Sequence, residues 1–301
     1  RQLEADGDGD LFDRVACDFR KTENGAFPPL GTPESLMALT EADIQLWQEM
    51  IFQPQNACLV MTGNFSDGME LAAIEALSEL RNTTAQPPFT QSLPIGFCMR
   101  DEQSDLLEEV ESDFASVQLA FDVDSEQVYP VAAEVLSTIT AGNDDSMLFQ
   151  ALREEQALVA EIESQISRVG QFSRLVIRYD VRSEWLKDTL TKVFGYVYRL
   201  TMYVRPARLN QLRTQFTTNN AMLTDDTAAL NDRLGWAWMS GDTAQADLDA
   251  AAAQYNELTA EELLDAAQTV FRPENLSIAV QYDPEAVGDL RPLLQKLRET
   301  L

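Results

Sequence analysis

One helix–turn–strand pattern occurs twice in this chain, and it constrains the fold more than any other feature. Residues 39–65 (LTEADIQLWQEMIFQPQNACLVMTGNF) align with residues 258–284 (LTAEELLDAAQTVFRPENLSIAVQYDP) at an offset of 219 residues, without a gap. Five aligned positions are identical, and they include both copies of a Phe-x-Pro-x-Asn turn. The sequence therefore predicts one supersecondary unit used twice, in two similar modules.

Each copy carries the signals of a capped helix followed by a buried strand. Thr40 and Thr259 are predicted N-caps, and an acidic side chain three residues later, Asp43 or Glu262, completes a capping box. The proline of the turn ends each helix, because proline removes a backbone donor and clashes with the preceding turn. Short apolar runs after the turn predict buried strands: CLVMT at 58–62 and LSIAVQ at 276–281.

The rest of the chain alternates between amphipathic helices and short strands. Strands are predicted at 108–111, 116–123, 160–168 and 172–180. Helical spacing of apolar residues predicts helices at 67–80, 127–141, 146–155, 184–203, 208–222 and 226–239. A polar, proline-containing stretch at 81–94 is the predicted linker, so the predicted domains are residues 1–88 and 89–301.

The chain is strongly acidic. It has 50 Asp and Glu against 22 Lys and Arg, a net charge of −28. Nucleic acids and anionic membranes attract basic surfaces, so the charge argues against both as partners. A basic protein or peptide would be attracted, although an acidic surface also simply favours solubility. No stretch approaches the roughly 18 apolar residues that a membrane-spanning helix needs.

Cysteine and histidine usage narrows the chemistry further. The three cysteines, Cys17, Cys58 and Cys98, are odd in number and form no C-x-x-C pair. They predict neither a zinc ribbon nor a redox motif, and they favour a reducing, cytoplasmic location. We expect Cys58 to lie in the core, because its neighbours are apolar. Histidine is absent, which excludes Ser-His-Asp and Cys-His catalysis and removes the commonest metal ligand.

Two segments of the sequence carry a family resemblance. Residues 30–65 (LGTPESLMALTEADIQLWQEMIFQPQNACLVMTGNF) resemble the segment that follows the active-site domain of M16 metallopeptidases, the pitrilysin, insulinase and processing-peptidase group. Residues 146–162 (SMLFQALREEQALVAEI) resemble that family's Ser-x-Leu-Phe-x-x-Leu-Arg-Glu-x-x-Gly-Leu-x-Tyr element. The resemblance implies an α+β fold of tandem M16-type α/β sandwich modules, LuxS/metallohydrolase-like, of which the first is incomplete at its N-terminus.

The resemblance also implies where zinc would be held. The family's metal site is a His-x-x-Glu-His motif on a helix together with a distant Glu, and the motif Glu acts as general base. This sequence contains no His, so the resemblance implies no zinc cofactor in this chain. Zinc is expected only if an N-terminal half with the metal motif exists. We accordingly predict no catalytic residue and no metal ligand here.

A second functional element of the family is an Arg followed seven residues later by a Tyr, which contact the substrate peptide and stabilise the transition state. Arg153 matches the Arg, and Ala160 stands where the Tyr is expected. The resemblance therefore implies that Arg153 binds substrate. Because the Tyr is missing, an exposed or structural helix Arg is the favoured interpretation.

Two further groups of residues are weaker candidates. Trp236 and Trp238 lie on a predicted helix, where core packing is the favoured interpretation. Arg174, Arg178 and Arg182 recur at every fourth position around a predicted strand. They would form either a strip that binds a carboxylate or, the favoured interpretation, a solvated or ion-paired face.

Three functions remain open at this stage. The leading hypothesis is an M16 peptidase-like protein without its own zinc site, acting as a non-catalytic peptide-binding protein or as partner of an active M16 subunit or of a second copy of itself. The second is a fragment of an active M16 zinc metallopeptidase whose His-x-x-Glu-His half is missing from this chain. The third is a scaffold that keeps the fold only for assembly.

Overall fold

The computed structural model of the chain describes residues 33–52, 57–78, 105–124, 126–169, 172–240 and 247–301. These form two compact units. The sheet unit comprises residues 105–210 and 258–301, and the helical unit comprises residues 33–78 and 211–257. The mixed helix and sheet content confirms the predicted α+β class. The predicted linker at 81–94, the domain boundary between 88 and 89, Cys17 and Cys98 lie outside the described residues.

The sheet unit is built on five strands: β1 (Asp105–Glu109), β2 (Phe114–Asp124), β3 (Val159–Val169), β4 (Phe172–Arg182) and β5 (Leu276–Tyr282). Their order across the sheet is β1-β5-β2-β4-β3. β5 runs parallel to β1, and the remaining neighbours are antiparallel. The predicted strand pair around residue 170 is confirmed as β3 and β4, while the first strand begins three residues earlier than predicted.

The described helices are α1 (Pro33–Ala38), α2 (Glu41–Ile51), α3 (Asp67–Ser78), α4 (Pro130–Ala141), α5 (Leu186–Met202), α6 (Pro206–Met222), α7 (Thr227–Ser240), α8 (Leu248–Glu257), α9 (Ala260–Val270), α10 (Pro284–Val287) and α11 (Arg291–Arg298). A π-helix (Phe149–Glu154) and two short 3₁₀ segments complete them. α4 starts at Pro130, because a fixed φ favours proline in the first helical turn. Within the described part of the chain, every helix is too short or too polar to traverse a lipid bilayer.

The main core lies between one face of the sheet and the helices α4, α5 and α9. Alternate residues of the strands point into it, as a period of two requires. They are almost completely buried: Val117, Leu119 and Phe121 of β2, Leu175 and Ile177 of β4, and Ile278 and Val280 of β5. This alternation is the signal from which β2 and β4 could be predicted.

The opposite face of the sheet carries small and charged residues that are also buried. Ala120, Val176 and Ala279 form a small apolar cluster there. Beside them the Arg174 Nε lies 3.4 Å from the Asp122 Oδ1, and both side chains are about 5% exposed or less. Removing a charge from water is costly unless a partner compensates it, so the two buried charges depend on each other.

Both predicted capping boxes are confirmed. The Thr40 N–H donates to the Asp43 carboxylate at 2.9 Å, and the Asp43 N–H donates to the Thr40 hydroxyl at 3.3 Å. In the second copy the matching distances are 2.7 Å and 3.1 Å, between Thr259 and Glu262. α2 and α9 have the same length, 11 residues, and each ends at a Phe. The repeat is thus one local structure formed twice.

The two copies differ in burial. Phe271 is 1% exposed, and its ring packs edge-on against Phe121 with centroids 4.9 Å apart. Phe52 occupies the same position of the first copy and is 75% exposed. Ile44 and Ile51 are likewise exposed, although their counterparts in α9 are fully buried. Local sequence therefore fixes the helix, and the surroundings alone decide whether its apolar face is covered.

Three predictions for the helical unit are wrong. Residues 57–62 form no strand and Cys58 is only half-buried. A strand needs a neighbouring backbone to accept its hydrogen bonds, and within the described residues the only sheet lies in the other unit.

Trp236 and Trp238 are 76% and 66% exposed, so they are not core residues. They lie two positions apart on α7, a spacing that does not put both on one buried helix face.

The repeat supplies a matched pair of stability mutations. Phe271→Ala should lower the free energy of unfolding by about 3–5 kcal/mol, because it empties a buried aromatic site. Phe52→Ala should change it by less than about 0.5 kcal/mol, because the ring is exposed. Chemical denaturation followed by circular dichroism measures both. Equal effects of the two substitutions would contradict the burial difference.

The capping box of α9 should make stability depend on pH. Hydrogen bonds from the Thr259 backbone N–H and hydroxyl lower the pKa of the Glu262 carboxyl from its usual 4.5. A carboxyl with a lowered folded pKa stabilises the fold above its unfolded pKa, and the contribution is lost as pH falls through the folded value. We expect Glu262→Gln to be less stable than the wild type at neutral pH, and the difference to vanish well below about pH 4.

Urea denaturation across this pH range measures the difference between the two proteins. Glu261→Gln is the control, because Glu261 lies in the first turn of α9 but outside the capping box. If the difference in stability between Glu262→Gln and the wild type did not change with pH, the ionised Glu262 carboxylate would not be what stabilises the cap.

Candidate functional site

The sequence candidate Arg153 lies near the end of the π-helix Phe149–Glu154. The predicted helix is therefore present, but with wider hydrogen bonding: the Glu155 N–H donates to the Gln150 carbonyl at 2.9 Å. π-Helical turns are rare and are frequent at functional sites. Leu148 and Leu152 are fully buried and anchor the turn, whereas Arg153 faces outward with its side chain 42% exposed.

Two neighbours restrict the Arg153 side chain. Its guanidinium carbon lies 4.6 Å from the centroid of the Phe149 ring, within the range of a cation–π contact. Its Nε lies 3.8 Å from the Glu154 carboxylate. An exposed ion pair contributes little to stability, so the ring is the more useful support. The planar guanidinium keeps donors available for a carbonyl or carboxylate.

A tight turn carries the chain from Arg153 into β3. The Ala157 N–H donates to the Arg153 carbonyl at 3.1 Å, and the Leu158 N–H donates to the Leu152 carbonyl at 2.8 Å. Ala157 has φ of 49°, in the left-handed region. This is the position of Gly in the M16 element. An L-residue there costs about 1–2 kcal/mol, so the turn is held in place against local strain.

Ala160 lies in β3 directly after this turn. The pairing of β3 with β4 shifts register between Val159 and Ile162, so Ala160 lies in a β-bulge. Bulges redirect side chains and are frequent beside active sites. The Ala160 side chain is exposed, and β3 stands at the end of the order of the described strands. The position that holds Tyr in the family is therefore open to solvent here and carries no hydrogen-bonding group.

A shallow polar depression follows along the same strand. It lies on the sheet face opposite the main core and is lined by β2, β3 and β4 through Ser116, Gln118, Glu161, Glu163, Arg178 and Asp180. The Ser116 hydroxyl donates to the Asp180 carboxylate at 2.7 Å. Arg178 lies 4.0 Å from Glu163. Three carboxylates against one guanidinium give the depression an acidic character that suits a basic ligand group.

The Arg174, Arg178 and Arg182 series does not form one basic strip. Arg174 is buried against Asp122, and Arg178 pairs with Glu163. Arg182 stands 5.9 Å from the centroid of the Phe114 ring and 5.8 Å from that of Trp185. The ion-paired interpretation therefore holds for the first two. These ion pairs could not be predicted from the spacing of the arginines, because their acidic partners belong to other strands.

The residues of this chain do not fit a zinc site of the M16 kind. The motif needs two His ligands, and the 301 residues contain none. Among the described residues, no three Cys, Asp or Glu side chains come together in a group able to hold a metal ion. No step of a reaction is therefore assigned to a metal bound by these residues.

Arg153 and Ala160 could be located from the sequence, but the features that shape their surroundings could not. The strained Ala157, the bulge at Ala160 and the ring of Phe149 were all unrecognised. The sequence does contain a signal for the strained Ala157, because an Ala stands there where the M16 element has a Gly. The bulge has no signature in the strand itself.

Comparison with known proteins shows which family the chain belongs to. Residues 38–216 match the sequence profile described as Peptidase M16 inactive domain. Among curated proteins, none matches the sequence significantly.

Solved structures give the same fold. A protease from Helicobacter pylori matches with a TM-score of 0.80 and 14% identity, over 93% of this chain and 69% of that one. A peptidase M16 inactive domain from Pseudomonas fluorescens matches with a TM-score of 0.73 and 17% identity, over 91% and 65%. The periplasmic protease PqqL from Escherichia coli matches with a TM-score of 0.71 and 16% identity, over 94% and 31%.

These identities are low, so the solved structures speak for the fold alone. This chain spans about two thirds of the first two proteins and about a third of the last. The profile match, by contrast, covers more than half of the 301 residues. On that ground the chain belongs to the Peptidase M16 inactive-domain family.

Proposed function

We propose that this chain is a non-catalytic, M16 peptidase-like subunit that binds an extended peptide and works together with a partner. One observation carries the proposal: a member of this peptidase family has no histidine with which to form the metal motif. Without a bound metal the family's route to an activated water is closed to this chain.

The surroundings of Arg153 support peptide binding. Arg153 offers a guanidinium that is stiffened by the Phe149 ring and still half-exposed. Among the described strands, the following strand, β3, has a neighbour on one side only, and an extended peptide can add to such an edge through main-chain hydrogen bonds. Glu161 and Glu163 on that strand, together with Asp180, favour a peptide with basic side chains. The net charge of −28 attracts such a peptide from a distance.

The partner in this proposal is an active M16 subunit or a second copy of the chain. A cytoplasmic location stays part of the proposal and rests on the odd number of cysteines and on the absence of a C-x-x-C pair in the sequence.

A second candidate function is a part of an active M16 zinc metallopeptidase, with the metal motif supplied by residues outside these 301. The retained Arg153 favours it, and two of the similar structures are described as proteases. The loss of the Tyr at position 160 argues against it, because an alanine offers no hydrogen bond to the substrate.

Peptide binding is tested with a fluorophore-labelled, lysine-containing unstructured peptide and fluorescence anisotropy. Arg153→Ala should weaken binding about tenfold, since a hydrogen bond to a charged group contributes about 1.5 kcal/mol or more. Arg199→Ala is the matched control, because Arg199 is also an exposed helix Arg beside a ring, that of Tyr196. Affinity unchanged in Arg153→Ala, or equally reduced in both variants, would contradict a role for Arg153.

The same peptide, carrying a quencher, tests for catalysis. We expect this chain alone to leave it intact with zinc added, and to bind no stoichiometric zinc by elemental analysis. Cleavage by the purified chain together with stoichiometric zinc would overturn the non-catalytic proposal and favour the second candidate.

Restoring the missing half of the Arg–Tyr pair gives a complementary prediction. Ala160 is exposed, so Ala160→Tyr should fold normally and tighten binding of the labelled peptide about two- to tenfold through one added hydrogen bond. Ala160→Phe is the control, because it adds the ring without the hydroxyl. Equal gains for Tyr and Phe would assign the effect to apolar contact rather than to the pair.

A further inference from the structure

One segment of the sequence reverses the charge of the chain. Residues 189–224 contain five Lys or Arg and no Asp or Glu, although the whole chain has 50 acidic and 22 basic residues. The first part of this segment, up to residue 210, belongs to the sheet unit and includes most of α5. Solubility does not account for a basic region, because the acidic residues of the chain already supply ample net charge.

The C-terminal end of α5 presents exposed residues that are basic or aromatic. We call them the α5 surface: Tyr198, Arg199, Met202, Tyr203 and Arg205. Tyr198 is 42% exposed, Met202 and Tyr203 are each 62% exposed, and both arginines are exposed. Residues four positions apart are neighbours on a helix, which brings Met202 beside Tyr198. Aromatic residues, Met and Arg are the types enriched in protein–protein interfaces, whereas Lys, Glu and Asp are depleted there.

The two arginines of the α5 surface keep their charge uncompensated. In the part of the chain that the structure describes, neither Arg199 nor Arg205 forms an ion pair, whereas Lys192 pairs with Asp188 at 2.6 Å. The Arg199 guanidinium carbon lies 5.5 Å from the centroid of the Tyr196 ring, a cation–π contact that restricts it without a carboxylate. A guanidinium of this kind binds a carboxylate through two parallel hydrogen bonds.

The α5 surface stands on a well-packed helix. The opposite side of α5 is buried through Val193, Val197 and Leu200, and the helix contacts β4, α9 and α11 of the same unit. The Gln268 side-chain amide of α9 donates to the Thr201 carbonyl at 2.9 Å and fastens the last turn of α5. A surface that is ordered in advance loses less entropy when a partner binds.

Charge selects the class of partner. An extended polyanion, such as a nucleic acid or an anionic membrane, would also face the remaining surface of a chain whose net charge is −28. A compact acidic segment would meet the α5 surface alone, since charges beyond about 8 Å are largely screened at physiological salt. A second copy that docked symmetrically through the same surface would oppose arginine to arginine.

We propose that the α5 surface binds an acidic segment of a different polypeptide. Its carboxylates pair with Arg199 and Arg205, and its apolar side chains pack on Tyr198, Met202 and Tyr203. The inference goes beyond the proposed function and does not depend on it, because that function concerns a basic peptide, which the α5 surface would repel.

The test uses the full chain and two fluorophore-labelled peptides of equal length with Leu and Phe at the same positions. The remaining positions are Glu in one peptide, called the Glu peptide, and Lys in the other, called the Lys peptide. Fluorescence anisotropy at two salt concentrations measures binding, and circular dichroism confirms that each variant folds. The variants are Tyr203→Ser, which removes an exposed ring, and Arg205→Gln, which removes one charge.

Phe114→Ser and Arg182→Gln are the matched controls. Phe114 is 54% exposed, and its ring centroid lies 5.9 Å from the Arg182 guanidinium carbon. Arg182 also stands beside Trp185, which directly precedes α5, so this ring and arginine lie at the other end of the helix. With 17 residues, α5 separates its two ends by about 25 Å.

We expect the Glu peptide to bind at least about tenfold more tightly than the Lys peptide, with an affinity that falls as salt rises. Tyr203→Ser should weaken the Glu peptide about tenfold, a loss of roughly 1.4 kcal/mol. Arg205→Gln should weaken it about threefold and reduce its dependence on salt, because one charge fewer attracts the peptide. Both controls should bind it as the wild type does.

Four results would overturn the inference. The first is absent or equal binding of the two peptides, and the second is an equal loss in the variants and their controls. The third is displacement of the Glu peptide by single-stranded DNA or by phosphatidylserine vesicles, which would make the α5 surface a general polyanion site. The fourth is a dimer, seen by sedimentation velocity, that dissociates in Tyr203→Ser, because a second copy would then be the occupant.

Arg153→Ala separates this inference from the proposed function. It should leave the affinity for the Glu peptide unchanged while it weakens the unstructured lysine-containing peptide. If Arg153→Ala weakens the Glu peptide instead, the acidic peptide binds at Arg153 and the inference fails. If the lysine-containing peptide binds regardless of Arg153, the proposed function fails and the α5 surface still stands.

Discussion

The sheet unit depends on β5, the last strand of the chain, which lies between β1 and β2. Without β5, β1 would have no neighbouring strand among the described residues, and β2 would have a neighbouring strand on one side only. Arg298 then secures the closing segment, because its guanidinium donates to the Leu276 carbonyl at 2.7 Å and to the Pro273 carbonyl at 3.2 Å, and pairs with Asp105 of β1. Strands that lie far apart in the sequence, such as β1 and β5, pair slowly, because the entropy of closing the intervening chain is lost before the contacts are gained.

The two copies of the repeat separate local from long-range causes of structure. Thr–carboxylate capping boxes, helix length and the terminal Phe are the same in both, so they follow from short-range sequence. Burial differs in the two copies: α9 packs on the sheet of its own unit, whereas the described apolar side chains of α2 are exposed. A helix of 11 residues is marginal on its own, so tertiary packing supplies most of the stability of α9.

The same division explains which sequence predictions succeeded. β2, β4, α5 and both capped helices could be predicted, because their signals are periodic or local. The strand at 58–62 failed because a strand exists only where another backbone accepts its hydrogen bonds. Trp236 and Trp238 failed because apolar character was taken for burial, although large apolar residues also occur on surfaces. At the candidate site, Arg153 followed from the family element, while the bulge at Ala160 depends on pairing with β4.

Under the proposed function, the presence of Arg153 and the absence of a Tyr at position 160 follow from the different roles of the two groups. A guanidinium that grips a peptide carbonyl contributes to ground-state binding, and this remains useful without chemistry. A hydroxyl that stabilises a developing charge contributes only when a metal-activated water attacks. Under that proposal no such attack takes place, so a Tyr at position 160 has no role, whereas Arg153 keeps its role in holding the peptide. The Phe149 ring beside Arg153 fits this division, because it orders the guanidinium before a ligand arrives and so lowers the entropy lost on binding.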